Sequence, residues 1–167
     1  MGEQLTEGDV KRITDEINHR KLVERPQILK ELKAARAQGD LSENFEYYAA
    51  KRANNQNNSR IRYLEKMLRF AEVISDESKD DEVGLNNTVD VYFEDDDCTE
   101  TYRIVTSIRG NSLKGLISNE SPLGKALLKH KVGDRVEVKV SPDVSYYVKI
   151  TRLDKTGESE DDKIKQF

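Results

Sequence analysis

Tryptophan is absent from this sequence of 167 residues, and cysteine occurs only once, as Cys98. A single cysteine excludes an intramolecular disulfide framework. No apolar run approaches the roughly 20 residues that a membrane-spanning helix needs, and the first ten residues lack the apolar core of a secretory signal. We therefore expect a soluble cytoplasmic protein that has no membrane partner.

Apolar residues are also scarce, since 35% of the chain is hydrophobic and 36% is charged. This is too much charge for a chain packed around one round core, yet too many apolar residues for a disordered chain. The composition favours a long exposed helical element joined to a compact domain.

A basic surface is lacking as well, because the net charge is −4. Residues 1–75 hold 14 Lys/Arg and 12 Asp/Glu, whereas residues 76–167 hold 14 and 20. Tight binding to free DNA or RNA requires a strong excess of positive charge. The protein is therefore expected to meet nucleic acid only inside a larger assembly.

What the sequence does contain, over residues 1–75, is helical periodicity. The pattern predicts a helix over 6–37, capped by Thr6 and Asp9, kinked at Pro26 and ended by Gly39. A second helix is predicted over 45–75, with a 3-4 repeat of seam residues. The two helices would form an antiparallel coiled-coil hairpin, about 45 Å long at 1.5 Å per residue, with its tip at 39–46. The seam residues of the second helix are Tyr47, Ala50, Asn54, Asn57, Ile61, Leu64, Leu68 and Ala71.

Strand periodicity replaces helical periodicity after a charged segment, 76–87, which we interpret as a linker. Alternating apolar and polar residues predict four strands, and Ser121-Pro122 predicts the start of a short helix over 123–129. The fold class is therefore α+β, with a small antiparallel sheet domain at 88–154 after the helical hairpin. Residues 155–167 are interpreted as a mobile polar tail. The predicted strands are 88–93, 101–106, 135–140 and 146–151.

The predicted tip carries acidic side chains that have two possible roles. Asp40 and Glu43 lie three residues apart across the turn that opens the second helix, so both could simply cap that helix. As an exposed pair they would offer two hard oxygen ligands, and Mg²⁺ accepts one or two carboxylates while keeping its waters. Such a pair alone would bind Mg²⁺ weakly, so a partner would have to supply the remaining ligands. The two roles are compatible, because a capping carboxylate keeps free lone pairs.

The tip sequence GDLSENFEYYAAK, residues 39–51, resembles the tip signature of the GreA/GreB family of transcription elongation factors. The resemblance continues in Arg25-Pro26, which is similar to the family's first helix. It also includes 121–127 and 132–134, which are similar to the family's FKBP-like C-terminal domain. It covers roughly residues 5–153. The basic residues do not suggest the larger RNA-binding patch of GreB, so the chain looks GreA-like.

This resemblance implies a mechanism in which the factor itself is not an enzyme. The coiled coil would enter the secondary channel of bacterial RNA polymerase and stimulate the polymerase's own Mg²⁺-dependent cleavage of backtracked RNA. Asp40 and Glu43 match the pair that helps to hold the polymerase's second Mg²⁺, and Ser42 matches a residue that positions the substrate. No cofactor would be bound by the factor alone, and we expect a monomer. The expected contacts with RNA or polymerase are Arg36, Asn44, Glu46, Lys51 and Arg52.

Other interpretations of these residues stay open. Arg36, Lys51 and Arg52 could form an ordinary solvated face, Phe45 could pack the tip, and Tyr47 could belong to the seam. The chain could also be a regulator that blocks the channel without promoting cleavage. An FKBP-like prolyl isomerase or chaperone is disfavoured, because an isomerase pocket needs an aromatic-lined cavity, whereas the second domain has no Trp and its only Phe residues are Phe93 and Phe167. His19 and His130 are expected at the surface, and Cys98 is expected to be unreactive because acidic residues surround it.

Overall fold

A computed structural model of the protein describes residues 2–39 and 44–166. The chain divides into two units. The first unit contains Gly2 and Val10–Ala71, and the second contains Glu3–Asp9 and the chain from Glu72 onward.

Helical segments make up the first unit, as the periodicity predicted. They are α1 (Glu7–His19), a π-helical turn (Arg20–Glu24), α2 (Arg25–Arg36) and α3 (Phe45–Phe70). The first three residues of α1 count with the second unit. The predicted cap of α1 is confirmed, because the Thr6 N–H donates to Asp9 Oδ2 and the Asp9 N–H donates to Thr6 Oγ1, both at 3.1 Å.

The interruption expected near Pro26 takes the form of the π-helical turn, which lies one turn before Pro26. Proline has no N–H to donate, and its ring crowds the carbonyl four residues earlier, so the disturbance falls on the preceding turn. The Arg25 N–H bonds to the Arg20 carbonyl five residues back, which is the π spacing. Pro26 itself lies in the first turn of α2, which follows the π-helical turn directly.

The helices of the first unit form an antiparallel hairpin. Side-chain hydrogen bonds join Glu16 to Arg60 and Arg20 to Asn57. A later residue on the first side of the hairpin therefore pairs with an earlier residue of α3, as antiparallel packing requires. The predicted seam is confirmed for Ala50, Asn57, Ile61 and Leu64, which are buried. It shifts towards the end of α3, where Met67 is buried and Leu68 is only half-buried. The other buried apolar residues of the hairpin are Ile13, Ile17, Leu32 and Ala35.

A five-stranded sheet dominates the second unit, in the order β5-β4-β3-β7-β6. The strands are β3 (Thr88–Phe93), β4 (Cys98–Val105), β5 (Leu116–Ser118), β6 (Arg135–Ser141) and β7 (Val144–Asp154), and the short helix is α4 (Pro122–Leu127). Ser121 caps α4 by accepting a hydrogen bond from the Gly124 N–H at 3.1 Å, as predicted. Every second residue of the central strands points into one core that Leu127 completes. The core residues on the strands are Val89, Val91, Ile104, Val136, Val138, Val148 and Ile150.

The sheet is antiparallel, as predicted, except at one edge. Strand β5 pairs with β4 in the parallel direction, which makes the sheet mixed. A second, two-stranded parallel sheet joins β1 (Gln4–Leu5) to β2 (Glu72–Val73). These strands have only two or three residues each, which is too short for an alternating pattern to be recognised in the sequence.

The segments that we interpreted as a linker and a mobile tail both pack within the second unit. Val83 and Leu85, from 76–87, are buried in its core. In the tail, Ile164 is buried, and the Lys165 N–H donates to the Ile108 carbonyl at 2.7 Å. The abundance of charged residues in both segments concealed these few apolar anchors.

Candidate functional site

The end of the hairpin is the candidate site, and its centre lies outside the described residues. Asp40, Ser42 and Glu43 all fall within 40–43, so the roles predicted for them stay predictions. The structure describes the chain on both sides of this segment. It shows how α2 ends before residues 40–43, how α3 begins after them, and which side chains lie on either side.

On the N-terminal side, helix α2 ends at Arg36. The Gln38 N–H donates to the Ala35 carbonyl at 3.2 Å, and the Gly39 N–H donates to the Arg36 carbonyl at 3.4 Å. Gly39 has φ +101°, a conformation that glycine adopts readily because it has no side chain. Gly39 therefore stops the helix, as the sequence predicted.

On the C-terminal side, Asn44 is the N-cap of helix α3. Its Oδ1 accepts a hydrogen bond from the Tyr47 N–H at 3.0 Å, and its Nδ2 donates to the Ala35 carbonyl at 2.8 Å. One side chain thus caps the new helix and ties it to the end of the old one. Asn44 thus provides the N-cap of this helix, a role for which Asp40 and Glu43 were also candidates. Asn44 was predicted as an RNA or polymerase contact, and its position gives it a structural role.

Two further contacts connect the two sides of the hairpin end. The Arg36 guanidinium lies 5.7 Å from the centre of the Tyr47 ring, within the range of a cation–π interaction. Gln38 Nε2 donates to Glu46 Oε2 at 3.3 Å. Tyr47 is half-buried, which agrees with its predicted place in the seam. Arg36 and Glu46 are nevertheless exposed, so both retain surface for an external partner.

Aromatic and basic side chains are exposed at the start of α3, just after residues 40–43. Phe45, for which packing at the tip was one open interpretation, has 86% of its surface exposed. Tyr48 is 45% exposed, and Lys51 and Arg52 are exposed on the same first turns of α3. Such a surface can stack on bases and attract phosphates. The sequence already contained the signal for Phe45, because position 45 lies outside the 3-4 repeat that begins at Tyr47.

A polar layer in the middle of the hairpin was largely missed by sequence reasoning. Arg60 Nε donates to Glu16 Oε2 at 2.8 Å, and Arg20 Nε donates to the same oxygen at 2.7 Å. Asn57 accepts from Arg20 Nη1 and donates to the Arg20 carbonyl, both at 3.1 Å. Arg60 is buried, although an arginine beside a seam reads as surface in the sequence. These bonds satisfy polar groups where the repeat lacks apolar residues.

His, Cys, Asp and Glu side chains are the ones that could hold a metal ion in this chain. Within residues 2–39 and 44–166, no group of three or more His, Cys, Asp or Glu side chains is arranged to hold a metal ion. Each of the two histidines lies near one carboxylate, His19 at 3.4 Å from Glu24 and His130 at 3.2 Å from Asp134. A complete metal site made by the described residues alone is therefore not present.

Cys98 has the unreactive environment that the sequence predicted. Desolvation raises the pKa of its thiol, and the negative charges of Asp96, Glu100 and Asp97 raise it further. The thiolate that would act as a nucleophile is thus disfavoured. Tyr146 and Tyr147 lie on β7 as strand residues, and Tyr146 stacks on Phe93 with ring centres 6.0 Å apart.

Among the described helices, none is both long and apolar enough to cross a membrane. The longest is α3 (Phe45–Phe70), which carries charged side chains along its length.

Comparison with known proteins places both parts of the chain in one group. Residues 3–73 match the family model described as the N-terminal part of the transcription elongation factors GreA and GreB, and residues 77–155 match the model of their C-terminal part. Over 154 residues the chain is 40% identical to the transcription elongation factor GreA of Streptococcus thermophilus, covering 92% of this chain and 96% of that protein. For the GreA of Streptococcus pneumoniae the identity is 39% with the same coverage. The solved structure of GreA factor homolog 1 (Gfh1) of Thermus thermophilus is 23% identical, covering 92% of this chain and 99% of that one with a TM-score of 0.44.

Proposed function

Because the chain belongs to the GreA/GreB family of transcription elongation factors, we propose that it binds RNA polymerase and stimulates the polymerase's own cleavage of backtracked RNA. The factor would place the end of its hairpin in the secondary channel of a bacterial polymerase. The chemistry belongs to the polymerase, and the factor supplies side chains that the polymerase lacks.

The observation that carries this proposal is the construction of the hairpin end. The Asn44 side chain caps α3 and also binds the end of α2, so it joins the two helix ends directly. Asp40 and Glu43 stand between these two ends in the sequence. Helix ends that are fixed to each other are the kind of support that a functional site needs.

The proposed roles follow from the chemistry of each side chain. Asp40 and Glu43 would hold a Mg²⁺ shared with the polymerase, and this ion would supply the charge that activates water beside the RNA phosphate. Two carboxylates suit Mg²⁺ because it prefers hard oxygen ligands and retains waters. Ser42 would donate or accept one hydrogen bond to position the RNA. The fit is incomplete without the polymerase, since two carboxylates hold Mg²⁺ only weakly.

The exposed residues on either side of residues 40–43 would bind the RNA. Arg36, Lys51 and Arg52 would attract its phosphates, and Glu46 would adjust the local charge. Phe45, which has little protein around it, would stack on an unpaired base.

The test is transcript cleavage in a purified polymerase complex that has been halted and backtracked. Labelled RNA is followed after addition of the protein and Mg²⁺. The wild-type protein should shorten the RNA quickly, whereas Asp40→Asn and Glu43→Gln should each slow cleavage by about 10–100-fold. Both variants should still compete with wild-type protein for the polymerase, because each keeps its shape and loses only charge.

Glu31→Gln is the matched control, because Glu31 is an exposed carboxylate on α2 away from the hairpin end. With this variant, the polymerase should cleave the RNA as fast as it does with the wild-type protein. Equal activity in the wild type and both tip variants would refute the assigned role. Wild-type protein that binds the polymerase and slows transcription without cleavage would instead identify a blocking regulator.

A further inference from the structure

Arg109 is a buried cation in the second unit, and its partners come from distant parts of the chain. It lies in the short 3₁₀ turn after β4 and is only 2% exposed. Its Nε donates to Asp9 Oδ1 at 2.7 Å, and its Nη2 donates to Glu158 Oε1 at 3.4 Å. Its Nη1 lies 3.9 Å from Asp162 Oδ2. One carboxylate thus comes from the N-terminal segment and two come from the C-terminal segment.

Asp9 connects this cation to the N-terminal segment. It is fully buried, and its Oδ2 accepts hydrogen bonds from the Thr6 N–H at 3.1 Å and from Thr106 Oγ1 at 2.6 Å. Thr6 Oγ1 in turn donates to Glu158 Oε1 at 2.5 Å. Glu158 therefore contacts both the buried arginine and the residue that begins the cap of α1.

The C-terminal segment is fixed to the sheet by several other bonds. Asn87 Nδ2 donates to the Thr156 carbonyl at 3.0 Å, and Arg103 Nη2 donates to the Gly157 carbonyl at 2.7 Å. Arg103 Nη1 donates to Asp162 Oδ1 at 2.6 Å. Beyond these, Ile164 is buried and the Lys165 N–H donates to the Ile108 carbonyl. Backbone bonds, ion pairs and one apolar anchor together indicate a docked segment.

Charge balance explains why the docked segment matters to the rest of the unit. Arg103 and Arg109 face three carboxylates, of which only Asp9 lies outside the C-terminal segment. Without that segment, Arg103 would lose the Asp162 pair and Arg109 would keep Asp9 alone. Removing one partner of a buried ion pair is costly because the other charge stays out of water.

We propose that residues 156–166, which we call the C-terminal strap, are a folded clamp that holds the N-terminal segment Gln4–Asp9 on the second unit. The family model of the C-terminal part matches residues 77–155, so the strap lies outside the matched residues. Through Glu158 and Arg109 it supports Thr6 and Asp9, next to β1. It thereby stabilises the pairing of β1 with β2, although β2 precedes the strap by some 80 residues in the chain. The proposal is independent of transcript cleavage.

Amide hydrogen exchange of the full-length protein tests the strap directly. In the wild type the Lys165 amide should be protected, because it bonds to the Ile108 carbonyl. The Glu72 and Ile74 amides report on the N-terminal segment, since they bond to the Glu3 and Leu5 carbonyls. The Ile150 amide, bonded to the Asp134 carbonyl, reports on the sheet. An unprotected Lys165 amide would overturn the proposal.

The decisive variant is Glu158→Gln combined with Asp162→Asn, which removes two charges and keeps the shape of both side chains. The Glu72 and Ile74 amides should exchange at least about tenfold faster, while the Ile150 amide should change less than about twofold. Local opening, rather than general loss of stability, predicts this difference. Equal acceleration of all three amides, or no acceleration at Glu72 and Ile74, would overturn the proposal.

The matched control is Glu160→Gln combined with Asp161→Asn, which removes the same charge from two exposed positions of the strap. It should leave all these amides at their wild-type rates. A second comparison repeats the decisive variant in an Asp9→Asn, Arg109→Met background. The effect of the strap charges should shrink there, because the buried cation is gone. An unchanged effect would show that the strap does not act through Arg109.

Discussion

Asn44 provides a direct test of how the hairpin end is built. Its side chain makes two hydrogen bonds, one to the Tyr47 N–H and one to the Ala35 carbonyl. Loss of an N-cap side chain costs about 1 kcal/mol. Loss of a half-buried hydrogen bond to a carbonyl costs about 1 kcal/mol more. Asn44→Ala should therefore lower the free energy of opening the hairpin end by about 2 kcal/mol.

Asn44→Asp separates the two bonds. An aspartate keeps an oxygen for the Tyr47 N–H, but it has no N–H to donate to the Ala35 carbonyl. The expected cost is therefore about 1 kcal/mol, half that of Asn44→Ala. The order of stability should be wild type, then the aspartate variant, then the alanine variant.

Two backbone amides report on this opening without being altered by either substitution. The Gln38 N–H bonds to the Ala35 carbonyl and the Tyr48 N–H bonds to the Asn44 carbonyl, each at 3.2 Å. Their exchange should be about 30-fold faster in Asn44→Ala and about fivefold faster in Asn44→Asp. Wild-type exchange in the alanine variant would refute the capping argument. Equal exchange in both variants would refute the bond between the helix ends.

Two further predictions concern buried charges. Arg60→Met should lower the free energy of unfolding of the hairpin by about 2–3 kcal/mol, because it leaves Glu16 with fewer donors in a partly buried place. Urea denaturation followed by circular dichroism measures this, and the exposed Arg62→Met should change it by less than about 0.5 kcal/mol; equal losses would contradict the reasoning. Burial raises the pKa of Asp162, but hydrogen bonds from Arg103 and the Ser159 N–H and nearby positive charges outweigh it, so the net pKa lies below the ordinary 3.8. A lowered folded-state pKa stabilises the protein above the ordinary value, and this stability is lost as the pH falls through the folded value. Asp162→Asn should therefore be less stable than wild type at neutral pH, and the difference should shrink below about pH 3.8; a difference that persists in acid would exclude the charge as its source.

Periodicity explains which parts of the fold could be predicted from the sequence. Strand β3 has the predicted bounds, Thr88–Phe93, because its alternation is regular and both of its neighbours in the sheet are strands. Helix α3 was predicted from a 3-4 repeat that continues for most of its length. Strands β1, β2 and β5 have no pattern of their own, because pairing with a distant strand rather than local sequence defines them. The same limit hid the parallel arrangement of β5.

The candidate site divides in a similar way. The acidic residues Asp40 and Glu43 stand out because their types and spacing are themselves the chemical signal. The role of Asn44 was hidden, because a cap is recognised only when the start of the helix is known to one residue, and helix ends are the least certain part of any prediction. An asparagine one residue before α3 is a good cap, whereas the same asparagine inside the tip reads as a possible contact.

The strap shows why composition misled at the C-terminal end. A segment with many charges and one isoleucine has the signature of a mobile tail, because too few apolar groups are present to offset the entropy of ordering it. That reasoning assumes that charges prefer water. It fails when the fold already contains a buried cation that is short of negative charge, as Arg109 is without Glu158 and Asp162. The energy that orders the segment then comes from completing the ion pairs of Arg109. Because Arg109 lies about 50 residues earlier in the chain, no pattern within the segment itself can reveal that its charges are needed.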